Sequence, residues 1–241
     1  GQAKTSLGLR AFFAFPEDVA GFVGRSEGEL SNVVIRAWHS WNVSTARLKS
    51  VRQDGLVLGS PIPDGFPYFF WKGRLARYEL ENYREALDAP GEWFLDGSTG
   101  ELCYMPRIGE RLEMSVGFAP RLAHLVNISG DRCAGKLVED VAFRGLTFEY
   151  ASYGLEPDAN VGVQAASGLG AAIEAEGCEN ISFGDCVVRH VGLSGLWFRK
   201  GARNCRIDRT LIEDVGASAL RIGESSWQKS ELLNGLTAFV S

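Results

Sequence analysis

Asn180-Ile181-Ser182-Phe183-Gly184-Asp185-Cys186-Val187-Val188-Arg189-His190-Val191-Gly192-Leu193-Ser194-Gly195-Leu196 is followed by a second version of itself. That version is Asn204-Cys205-Arg206-Ile207-Asp208-Arg209-Thr210-Leu211-Ile212-Glu213-Asp214-Val215-Gly216-Ala217-Ser218-Ala219-Leu220, aligned without a gap at an offset of 24 residues. Asn180 matches Asn204, Phe183 matches Ile207, Val188 matches Ile212, Gly192 matches Gly216 and Ser194 matches Ser218. An earlier copy sits 40 residues upstream, with Val141, Phe143, Leu146 and Phe148 in the places of Ile181, Phe183, Cys186 and Val188. Its extra length fits a long loop between Ala151 and Gly170. Within each copy apolar residues alternate, and Gly, Asn or Asp breaks the run. Alternation puts one face of a short strand inward and the other outward. A period in the low twenties made of such strands is the signature of a parallel β-helix. Asn180 and Asn204 are then expected to stack at one turn, and Cys186 to stack near Thr210 as a small inward residue.

The first half carries no such period. Val33 to Trp38 reads as a strand. Arg47–Val51 and Gly55–Leu58 read as a hairpin, and Glu92–Leu95 with Glu101–Met105 as a second one around Asp96-Gly97-Ser98-Thr99-Gly100. Asn82 to Asp88 reads as a short helix closed by Ala89-Pro90-Gly91. The expected organisation is all-β. Residues 1–118 form a small β-barrel or sandwich. Residues 119–241 form a single-stranded right-handed parallel β-helix of about four coils.

The net charge is −5 with acids and bases interspersed, which argues against nucleic acid as a partner. No apolar run approaches the length of a membrane span. The five cysteines show no CxxC spacing, so neither a disulfide framework nor a zinc site is expected.

Several words of the sequence resemble one known group. They are Trp38-His39-Ser40-Trp41, the stretch from Leu80 through Ala89-Pro90-Gly91-Glu92-Trp93-Phe94-Leu95-Asp96 to Gly100-Glu101-Leu102-Cys103-Tyr104-Met105-Pro106, Phe143-Arg144-Gly145-Leu146-Thr147-Phe148, and Ala172-Ile173-Glu174-Ala175-Glu176-Gly177. In this order they resemble bacterial right-handed β-helix proteins of the glycoside hydrolase type, fucosidase- or xylanase-like, in which a β-rich domain precedes the main run of coils. The resemblance implies a polysaccharide or oligosaccharide partner, no cofactor (Ca²⁺ only if the chemistry is that of a lyase), and a secreted or periplasmic location. It also implies further coils beyond Glu224. Leu236 to Ser241 does not visibly continue the repeat, so an incomplete stack is expected, pairing with a second copy through residues 220–241.

Glycoside hydrolysis needs two carboxyl groups across the scissile bond. Asp214 and Glu224 are the candidates. Asp214 holds the repeat position of His190 one coil earlier, so an outward His190 would stack on it and tune it; alternatively both serve only the turn. Trp197, Tyr150, Tyr153 and Trp227 are candidate sugar platforms, since an aromatic face fits the apolar face of a pyranose. Trp197 lies between Leu196 and Phe198 and points outward if they point inward, to line a groove or to pack. Glu174, alternating with Glu176, and Arg221 complete the expected substrate contacts; a charged sheet face is the plainer alternative. The readings left open are a glycoside hydrolase, a non-catalytic glycan-binding or structural module, and a polysaccharide lyase.

Overall fold

The computed structural model describes residues 11–38, 43–59, 77–155, 164–224 and 238–240. The chain divides into two compact units, Gly1–Gly117 with Leu155–Gln164, and Phe118–Gly154 with Ala165–Ser241. Residue 155 is tied to the first unit by the Arg47 guanidinium, which donates to the Leu155 carbonyl at 2.9 Å.

In the first unit, strands β1 (Ala11–Phe13), β2 (Val34–Trp38), β3 (Val43–Val51), β4 (Leu56–Gly59) and β5 (Tyr78–Glu81) form one antiparallel sheet in the order β1-β4-β3-β2-β5. Its inward residues follow from the period of two: Ile35 and Ala37 from β2, and Ala46 and Leu48 from β3, are buried in one core. Two short helices, α1 (Pro16–Val19) and α2 (Glu27–Leu30), add Val19 and Leu30, both fully buried, and Val51 and Val57 join from β3 and β4. Ser26 and Glu29 close a capping box at the start of α2. A separate hairpin joins β6 (Trp93–Leu95) to β7 (Leu102–Tyr104).

The expected barrel or sandwich is therefore, among the described residues, one open sheet. Its outer strands β1 and β5 do not pair with each other, and helical turns rather than a second sheet join its core. The helix expected over Asn82–Asp88 shrinks to a single 3₁₀ turn at Arg84–Ala86. Asn82 has φ +59°, a left-handed conformation that no right-handed helix accommodates.

The second unit is built of parallel strands stacked coil on coil. Strands β8 (Val126–Ser129), β12 (Ala171–Glu176), β16 (Ser194–Phe198) and β19 (Leu220–Ile222) make one sheet, in the order β19-β16-β12-β8. A second holds β10 (Ala142–Arg144), β14 (Ser182–Gly184), β17 (Cys205–Asp208) and β20 (Ala238–Val240); a third holds β11 (Thr147–Ala151), β15 (Val187–Val191) and β18 (Leu211–Ile212). A short pair, β9 (Val138–Glu139) and β13 (Cys178–Glu179), completes the circuit.

The register is the one read from the repeat. Phe143 pairs with Phe183 and Phe183 with Ile207, while Phe148 pairs with Val188 and Val188 with Ile212. Inside, the Phe143 and Phe183 rings stack at 4.8 Å, and Cys186 backs onto the Thr210 hydroxyl through a 3.4 Å hydrogen bond. Asn180 and Asn204 both hold φ > 0 at equivalent turns, and the Asn180 side chain donates to the Asp140 carboxylate at 2.8 Å.

Two further sets of turns repeat the left-handed residue, at Gly145, Asp185 and Arg209 and at Tyr150, His190 and Asp214. Asn, Asp and His are the side chains most often found in this conformation, whereas Tyr150 and Arg209 adopt it against their preference.

One expectation is corrected. The closing segment does continue the stack, because Ala238–Val240 pairs in parallel with Cys205–Ile207. The repeat was hidden because this coil is longer than 24 residues.

Candidate functional site

The sheet β19-β16-β12-β8 presents a row of outward positions along the stack. Asn127 pairs with Glu174, Glu174 with Trp197, and Trp197 with Arg221. Leu196 and Phe198 face the core and are fully buried. Trp197 does point the other way, yet it is only 7% exposed. Its indole N–H donates to the Gly223 carbonyl at 2.6 Å. The Arg199 and Arg221 guanidinium carbons lie 4.3 Å and 3.6 Å from its ring centroid. It is thus packed beneath two cations and does not offer the open sugar platform expected of it.

Arg221 in turn donates to the carbonyls of Leu169 and Ser167, the latter at 3.0 Å. This fastens the end of the long loop against the sheet. Burial lowers the Arg221 pKa; Glu224 and Glu174 oppose the shift, and Arg199 adds to it.

Arg199 gathers the carboxylates. Its Nη1 donates to Glu174 at 3.2 Å, its Nε and Nη2 donate to the two oxygens of Glu224 at 3.2 and 3.4 Å, and Glu176 lies 3.7 Å from Nε. Burial works against the Arg199 charge, but Glu224, Glu174 and Glu176 outweigh it and raise the pKa. Glu174 also accepts from the Ala171 amide at 2.9 Å and faces the His124 imidazole at 3.9 Å. Glu224 accepts from the Lys200 amide at 3.1 Å. The Glu174 and Glu224 side chains are 14% and 15% exposed, so both are largely withdrawn from water yet still reach it.

Asp214 and His190 come together elsewhere, at the turn that precedes β16 and β19. The His190 Nδ1 lies 2.6 Å from the Asp214 carboxylate, with the side chains 42% and 71% exposed. The Tyr150 ring stacks on His190 at 5.4 Å, and Phe118 stacks on Tyr150 at 4.1 Å. Tyr153 packs close to Gly192, two residues beyond His190. Trp227 lies outside the described residues. Of the residues singled out from sequence, the structure joins Glu174, Glu224, Arg221 and Trp197 in one cluster. It joins Tyr150, His190 and Asp214 in another. Asp214 and Glu224 have different partners, His190 and Arg199.

The organising residue that sequence reading missed is Arg199. The signal was there: alternation through Glu174-Ala175-Glu176 and Trp197-Phe198-Arg199 places all four polar or amphipathic residues on one outer face. Among the described residues, no group of three or more His, Cys, Asp or Glu is arranged to hold a metal ion. No helix among them is long and apolar enough to cross a membrane.

No family model and no curated protein matches this chain. A solved structure described as a glycoside hydrolase superposes on 94% of the chain with a TM-score of 0.68 at 19% identity. The chain spans about half of that protein, 46% of its length. The chain therefore shares the fold of part of that structure, mostly β, with an antiparallel sheet in the first unit and parallel sheets in the second.

Proposed function

We propose that this chain is the glycan-handling part of a secreted glycoside hydrolase whose second unit is a right-handed parallel β-helix, with cell-wall polysaccharide as its substrate class. The observation that carries the reading is the pair of withdrawn carboxylates, Glu174 and Glu224, held on the single guanidinium of Arg199 on an outer sheet face. Hydrolysis needs one carboxyl group to protonate the leaving oxygen and a second to attack the anomeric carbon or activate water. Glu224 has two guanidinium hydrogen bonds and suits the anionic role. Glu174 has a single guanidinium hydrogen bond and is the one left for the donor role. Arg199 and Trp197 hold both in position, and position governs rate.

The test is sugar release from a panel of cell-wall polysaccharides and aryl glycosides by the chain and by Glu224→Gln, Glu174→Gln and Asp214→Asn. Release that falls at least about a hundredfold in both Glu variants, and little in Asp214→Asn, is the expected result. Loss in Asp214→Asn alone would move the chemistry to the His190 turn. Release of an ultraviolet-absorbing unsaturated sugar would make the enzyme a lyase.

A second reading rests on the Phe118–Tyr150–His190 stack. Tyr150 is covered on both faces, but Phe118 ends the stack and is 61% exposed; an exposed ring face fits a pyranose, so this turn would bind glycan without cleaving it. Binding that survives both Glu variants and fails in Tyr150→Ala would favour that reading.

A further inference from the structure

The first unit contains a cleft of about 250 Å³ between the start of the antiparallel sheet and the β6–β7 hairpin. It is unrelated to the residues proposed for hydrolysis. Its apolar lining comes from Val33 and Phe94, both buried. Polar walls come from Asn32, Asn82 and Ser98, and the half-buried Tyr83 adds an aromatic ring.

Three features hold these walls in place. Asn82 keeps its left-handed backbone while its side-chain amide donates to the Asn32 carbonyl at 2.8 Å. The hairpin turn leans in so far that a Cβ on Gly97 would stand 2.6 Å from the Asn32 side-chain oxygen. A larger residue there would push the Asn32 side chain aside. Asp96 fixes the turn itself by accepting from the Ser98 amide at 2.8 Å and hydroxyl at 2.6 Å, which hold its carboxyl below the usual carboxylate range. Tyr83 is set edge-on against Phe22 at 5.0 Å.

Charge decides the class of ligand. The cations Arg25 and Arg84 line the cleft with the anions Glu29, Glu85 and Asp96. Arg25 is spent on Glu85 at 2.7 Å, and the remaining balance disfavours an anion. Size decides its length, because the cleft falls just under the ~300 Å³ at which small-molecule pockets begin. A short neutral polyol that offers hydroxyls to amides and a C–H face to an aromatic wall meets both conditions.

We infer that this cleft is a binding site for a single neutral sugar ring, such as the end of an oligosaccharide. Asn32, Asn82 and Ser98 make its hydrogen bonds, and Tyr83 with Phe94 forms its apolar wall.

The experiment uses the whole chain, isotope-labelled, titrated with xylose, galactose, glucose and fucose. Amide shift changes are mapped, and glucuronate and inorganic phosphate are run alongside. The expected result is saturable change confined to residues 28–33, 82–85 and 94–98 with at least one neutral sugar, and weaker change with both anions. Asn32→Ala should weaken that binding about tenfold, the worth of roughly one hydrogen bond, and Ser98→Trp should abolish it by filling the cleft. The Glu174→Gln and Glu224→Gln variants should leave it unchanged, which separates this site from the proposed hydrolytic one. Stronger change with glucuronate or phosphate would overturn the inference. So would changes confined to residues 118–224, binding untouched by Ser98→Trp in a variant whose spectrum shows it folded, or no saturable change with any neutral sugar.

Discussion

The turn at His190–Asp214 and the outer face around Arg199 are made by the same device: a carboxylate meets a nitrogen-bearing side chain from an adjacent coil. Their settings differ. At the turn the pair is a single contact between side chains 42% and 71% exposed. Water screens such a pair, which contributes at most about 1 kcal/mol. On the face, one arginine at 31% exposure serves carboxylates at 14% and 15%, and removing it would strand charge in a partly dry place. The repeat places both pairs with equal regularity, but burial decides which one the fold depends on. The turn has its own source of rigidity in its backbone. The Gly216 amide donates to the Val191 carbonyl at 2.8 Å, and a Cβ on Gly216 would stand 2.1 Å from the Gly192 oxygen.

Three substitutions would break or sharpen this contrast. Gly216→Ala should have the largest effect, about 3 kcal/mol of lost stability in urea unfolding, since the coils must separate locally to admit the methyl group. A loss under about 1 kcal/mol would mean that the turn is softer than drawn. Arg199→Leu should cost about 2 kcal/mol, less than a fully buried pair because Arg199 still reaches water; an unchanged urea midpoint would show that Glu174 and Glu224 find solvent without it.

Arg209→Ala, at another turn, should be the mildest. Arg209 bonds both oxygens of Asp185, at 2.7 and 2.9 Å, and holds its carboxyl below the usual carboxylate range. A depressed folded-state pKa adds stability above the ordinary carboxylate value, and that contribution is lost as pH falls through the depressed one. Without Arg209 the Asp185 titration followed by NMR should move up toward the ordinary range, and the urea midpoint at neutral pH should fall only slightly, because the pair is exposed to water. An Asp185 titration that does not move would assign the depression to something other than this pair.

The coiled unit was legible because each coil repeats a local rule. Alternating apolar residues set the inward face, and Asn, Asp and Gly mark the turns. Phe143, Phe183 and Ile207 could therefore be aligned as a ladder from sequence. The closing strand Ala238–Val240 escaped because a longer coil breaks the count. The open sheet of the first unit was read strand by strand. Its form as barrel, sandwich or open sheet was not legible, because which strands end up at the edges depends on contacts between residues far apart in sequence. The candidate site was half legible: Glu174, Glu224, Arg221 and Trp197 were named individually, but Glu224 was matched with Asp214 and not with Glu174.

The sequence by itself determined the stacking register, the inward residues and the turn positions, since period and alternation are properties of neighbouring residues. Only the tertiary structure decided that Trp197 is roofed by two arginines, that Arg199 joins two carboxylates, and that the Gly97 turn closes a cleft over Asn32. Each of these depends on how side chains from different coils or hairpins fill the same space, and one-dimensional spacing does not encode that.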